Sequence, residues 1–107
     1  MDSKAIDEIL KTLEAVQARP AMYFGNSKDL KSYSSFMAGF KSALWALGID
    51  YPLWSNFGEV FRIRGWTSSS IDIHDMREKG LDDEQIIQEL MSLEILIWKS
   101  KREDLGR

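Results

Sequence analysis

The stretch from Asp82 to Arg102 constrains this chain most. Ile86, Ile87, Leu90, Met91, Leu93, Ile95, Leu96, Ile97 and Trp98 cover more than one stripe of a helix. A helix this apolar sits at the centre of its domain, or lends a second face to another chain. Its start is well marked. Asp82 can cap, Gln85 can answer from the third helical position, and Leu81 with Ile86 can form a hydrophobic staple. Lys99, Lys101 and Arg102 suit the negative end of the helix dipole. Beyond them, residues 105–107 read as a frayed end.

The remaining helices arrange themselves around a sharp joint at Arg19-Pro20-Ala21-Met22-Tyr23-Phe24-Gly25. Before it, Ile6, Ile9, Leu10, Leu13, Val16 and Gln17 recur at helical spacing over residues 3–18, with Gln17 the one polar member. Ser3 is the expected N-cap, and Asp7 with Lys11 an expected i,i+4 pair. Proline ends that helix and Gly25 turns the chain. Met22, Tyr23 and Phe24 form a greasy connection too short for a helix of its own, so it is expected to fold back onto the core. Asn26-Ser27 offers the next cap. Leu30, Tyr33, Phe36, Met37, Phe40, Ala43, Leu44 and Leu47 then make a second stripe, closed by Gly48. Gly39 lies inside this helix, where glycine costs about 1 kcal/mol relative to alanine. The expected reason is a close approach by a ring or a backbone.

Residues 53–63 read as a third helix after the turn at Asp50-Tyr51-Pro52, and residues 69–79 as a short helix capped by Ser68 or Ser69. The alternative is α+β, with a small hairpin at 59–74: Ile71 and Ile73 alternate with Asp72 and His74 as a half-buried strand would. The expectation is an all-α, compact single domain of four or five helices spanning residues 1–107.

Composition excludes several functions. There is no cysteine, hence no disulfide scaffold, thiolate metal site or cysteine nucleophile. The formal charge of -3 argues against a nucleic-acid partner bound through phosphates. No apolar run is long enough for a membrane span, and no signal-peptide pattern opens the chain, so a cytoplasmic setting without a membrane partner is expected. His74 is the sole histidine; with Asp72, Asp75 and Glu78 it suggests an acid–base pair or a metal site, but a lone imidazole without a second one is a poor ligand set. The serines at 68–70 lack a nucleophile elbow and read as turn and cap residues. No glycine-rich phosphate loop occurs. No catalytic residue, cofactor or metal is expected, and the chain reads as a non-enzyme.

A protein partner fits better. The acids Asp72, Asp75, Glu78, Asp82, Asp83 and Glu84 form a dense stretch around His74 that can steer a basic partner, although Asp82 to Glu84 also suit a helix start, and Trp66, like Trp54, flanks a loop where it can anchor one. The over-apolar 86–98 helix offers a homodimer as the other route.

Residues 13–25 resemble a motif near the start of the ATPase domain of DNA gyrase B and related type II topoisomerases, Leu-Glu-Ala-Val-Arg-x-Arg-Pro-Gly-Met-Tyr-Ile-Gly. That family's following Glu-x-x-x-Asn-Ser and Asp-x-Gly-x-Gly patterns have no counterpart here, so ATPase function is not carried over. A longer resemblance is to small bacterial cytoplasmic proteins, some associated with toxin immunity. The matching pieces are Arg19, Pro20, Met22, Tyr23 and Gly25; Phe36, Gly39 and Phe40; Gly65-Trp66; and 82–93. This resemblance implies an all-helical domain without catalytic residues, in which Arg19 to Gly25 and Gly39 are structural. It also implies a cognate toxin domain as partner.

Overall fold

The computed structural model describes residues 3–49, 57–66 and 73–105. These residues are helical with no strand: α1 (Ser3–Ala18), α2 (Pro20–Phe24), α3 (Leu30–Ala46), α4 (Phe57–Ile63), α5 (Ile73–Glu78) and α6 (Asp83–Leu105). The all-α expectation holds, and the hairpin does not form among the described residues of 59–74. The expected starts of the third and fourth helices, the serines at 68–70, Trp54 and Asp72 lie outside the described residues.

The centre is α6. It packs against α1, α3, α4 and α5. Ile86, Ile87, Met91, Leu93, Ile97 and Trp98 are almost wholly buried, and Leu90 and Ile95 nearly so. The excess of apolar positions on this helix is therefore covered by neighbours from its own chain. The expected capping box is present. Gln85 N–H donates to Asp82 Oδ1 at 2.9 Å, and Asp82 N–H donates to Gln85 Oε1 at 2.9 Å. Leu81 is partly buried against the core and Ile86 is fully buried, the two residues expected to form the staple. The helix continues past the expected stop near Arg102 to Leu105.

Along α6 runs α1, antiparallel to it. Ile6, Ile9, Leu13 and Val16 face the core. Gln17, the polar member of that stripe, donates from Nε2 to Ser92 Oγ at 2.9 Å. Asp7 pairs with Arg102 of α6 at 2.9 Å, where the expectation was Lys11. Ser3 is helical and does not act as the N-cap.

The joint at 19–25 departs most from expectation. Pro20 opens a helix as well as ending one. Its missing N–H is harmless in a first turn, and α2 is five residues long. None of its residues is buried, and Met22 is 72% and Tyr23 41% exposed. Of the greasy connection, Phe24 packs against the core as expected, while Met22 and Tyr23 stay exposed, and α2 lies against both α1 and α3. Phe24 stacks edge-on to Tyr33 with ring centres 5.8 Å apart, and Tyr23 meets Phe36 at 6.2 Å. Gly25 adopts φ 84°, as a turn glycine does.

In α3, Tyr33, Met37 and Leu44 are buried. Its cap is Asp29, not Asn26 or Ser27: the Asp29 carboxylate accepts from Lys31 N–H and from Ser32 Oγ. The hydrogen bond from Ser32 is the main reason its carboxyl is held below the usual range. Asn26 instead shapes the preceding turn by accepting from Lys28 N–H. Gly39 is exposed, and a Cβ built there meets nothing within 4 Å. Among the described residues, the close approach expected at Gly39 does not occur.

Candidate partner-binding corner

Two glycine-terminated helices, α4 and α5, carry the chain to Trp66 and through His74, Asp75 and Glu78 to Asp83 at the start of α6; Asp72 lies outside the described residues. At the end of α4, Gly65 takes φ 84°, a left-handed conformation that side-chain-bearing residues avoid. Gly65 N–H then reaches Arg62 C=O and Trp66 N–H reaches Phe61 C=O at 2.8 Å, closing a Schellman motif. This reversal lays Trp66 half-buried against the core. Gly80, with φ 90°, ends α5 in the same way and delivers Leu81 to the start of α6.

Trp66 is thus held rather than free. Its indole N–H donates to Glu89 Oε2 at 2.8 Å. Lys79 Nζ stands 4.5 Å from the ring centre, within cation–π range. Glu89 also receives Arg64, which donates from Nε to Oε2 at 3.0 Å and from a terminal nitrogen to Oε1. The Arg64 hydrogen bond pulls the Glu89 carboxyl below its usual range, with help from the Trp66 N–H and against partial burial. The same bond raises the Arg64 guanidinium. Neither Arg64 nor Glu89 was anticipated. The available signal was a carboxylate inside an otherwise apolar helix, since such a group needs a cation when its helix is buried.

The acidic stretch is partly neutralised from within. Asp83 pairs with Arg77 at 2.7 Å, and Glu78 lies 3.0 Å from His74 Nε2. Asp82 is engaged as a cap. Five carboxylates at Asp75, Glu78, Asp82, Asp83 and Glu84 still outnumber Arg77 and Lys79, so residues 73–84 stay net negative. Beside them lies an open cleft of about 350 Å³ lined by Arg64, Leu81, Glu84, Gln85, Gln88, Glu89 and Ser92. His74 is exposed and does not line it. Among the described residues no group of three histidine or acidic side chains is arranged to hold a metal ion, and no described helix is long and apolar enough to cross a membrane.

No known family model, curated protein or solved structure matches this chain.

Proposed function

We propose that the chain is a non-catalytic protein-binding module of the immunity type, which binds a basic surface of a toxin domain and blocks it. The observation that supports this reading is the negative corner formed by α5 and the start of α6. Asp75 and Glu78 stand on the short, glycine-stopped α5, which packs onto α6, and Asp82, Asp83 and Glu84 stand at the capped start of α6. Charges fixed in this way steer an oppositely charged partner and set its register. Trp66 is pinned from two sides by Glu89 and Lys79, so little side-chain entropy remains to be lost when a partner covers it. The resemblance in the Arg19–Gly25, Phe36–Phe40 and Gly65-Trp66 segments points the same way. The proposed setting is the bacterial cytoplasm.

The test is co-expression with the product of the neighbouring gene in the native host, followed by purification of the complex. The expected result is a stoichiometric complex that forms more slowly as salt rises, and that the charge reversals Asp83→Lys and Glu84→Lys weaken by about tenfold or more together. A neighbour that encodes no large secreted protein, with no partner co-purifying, overturns the reading.

A further inference from the structure

We infer that Lys41 and Glu94 form a register lock, a charge pair at the edge of the core that fixes where α3 sits along α6. Among the described residues, Glu94 is the one charged side chain buried in the core, at 6% exposure. It stands midway along α6, between the buried Leu93 and Ile95. A carboxylate there loses its water and needs a cation. Lys41 of α3 supplies one, with Nζ 3.4 Å from Glu94 Oε1. Lys41 is itself out of place. Tyr33, Met37 and Leu44 are the buried residues of α3, and helical spacing puts Lys41 at the edge of the face they form. Its side chain is 42% exposed, so the stem lies along the core while the head reaches water. Each helix thus carries a charge on the side it turns to the other, and the two charges meet.

The pair is a poor stabiliser. Its distance exceeds the roughly 2.7–2.9 Å of a strong charge-assisted hydrogen bond. Its lysine is partly in water, and its carboxylate is stripped of solvent. Apolar side chains of similar volume commonly serve stability as well or better at such a position. What the pair adds is a penalty on the wrong arrangement.

The apolar residues of α3 do not choose their own seat well. Slide α3 one turn along α6, so that each residue takes the place four further on. Tyr33 then replaces Met37, Phe40 replaces Leu44, and Met37 takes the seat of Lys41. Large apolar side chains exchange with one another, and methionine adapts to irregular gaps. The costly exchange is at Glu94, which now faces a thioether in place of an ammonium. A buried charge left without its partner costs far more than an altered apolar contact. Register also matters beyond α3. Phe24 and Tyr23 of α2 rest edge-on against Tyr33 and Phe36, with ring centres 5.8 and 6.2 Å apart, so a slip of α3 carries away the seat of α2.

Spin labels attached through Ser34→Cys and Glu103→Cys test the lock. Both positions are exposed, and the chain has no native cysteine. Pulsed dipolar spectroscopy on the full chain should give one distance in the otherwise unchanged protein. Lys41→Met together with Glu94→Met keeps side-chain length and removes both charges. This pair of changes should add a second distance, displaced by up to about 5 Å, the rise of one helical turn. The urea midpoint should stay level or rise. Lys41→Met alone strands the carboxylate and should lower the folding equilibrium constant by about tenfold or more. A single unchanged distance in the doubly substituted chain overturns the inference, because apolar packing then sets the register unaided. So does a doubly substituted chain that unfolds or is less stable than the parent, because the pair is then a plain stabilising bridge. Full stability of Lys41→Met alone overturns it as well. Nothing in the 73–84 corner enters this pair, so the lock and toxin binding fail separately.

Discussion

Arg64 at the end of α4 grips Glu89 of α6 with two parallel hydrogen bonds, and the same carboxylate receives the indole N–H of Trp66. One side chain of the central helix thereby fixes both the last turn of α4 and the reversal that follows it. The pair is half open to solvent on the arginine side and mostly covered on the glutamate side.

Stability should depend on acid through this carboxylate. Its pKa is lowered in the folded chain, so its contribution is present above the unfolded value of about 4.3 and is lost as pH falls through the folded value. Glu89→Gln should cost about 1 kcal/mol near neutral pH, an estimate reduced for the exposure of Arg64, and should match the parent chain in acid. Urea melts at a series of pH values check this.

At alkaline pH the sensitive group is Tyr33. Burial, reinforced by the charge of Glu94, pushes its hydroxyl well above the usual range. A raised pKa leaves the folded state intact below about pH 10 and destabilises it above, where the unfolded tyrosine ionises first. Tyr33→Phe should flatten the alkaline limb of the stability curve. Thermal melts between neutral and alkaline pH read this directly.

Trp98 is fully buried on α6. Trp98→Ala should cost about 3–5 kcal/mol, the usual range for emptying a large aromatic site. That is a large part of the stability of a domain this size. A denaturant midpoint shifted at constant slope is the expected readout.

Gly39→Ala should raise stability by about 1 kcal/mol in dilute solution, because a Cβ fits there freely and alanine is the better helix former. A fall in melting temperature would show that the site is crowded after all.

The capping box is testable alone. Asp82→Ala removes the acceptor for Gln85 N–H and should cost about 1 kcal/mol. Chemical denaturation measures it.

Local rules read from the residues anticipated much of the helical framework. The cap at Asp82, the stripe of α1, the ends at Gly48 and Gly80 and the centrality of the apolar 86–98 segment all follow from spacing and from backbone chemistry that acts within a few residues. What spacing could not decide was which apolar side chains are covered. Met22 and Tyr23 are as greasy as Leu13, yet Leu13 is buried because α6 lies over α1, whereas α2 meets α1 and α3 but not α6. Nor does spacing pair polar groups across the fold. Arg64 with Glu89, Asp7 with Arg102 and Gln17 with Ser92 join residues far apart in the chain, and they meet only because the core brings α1 and α4 against α6. Helix formation is a local matter of hydrogen bonds and periodicity; burial and ion pairing depend on neighbours that the packed chain alone supplies.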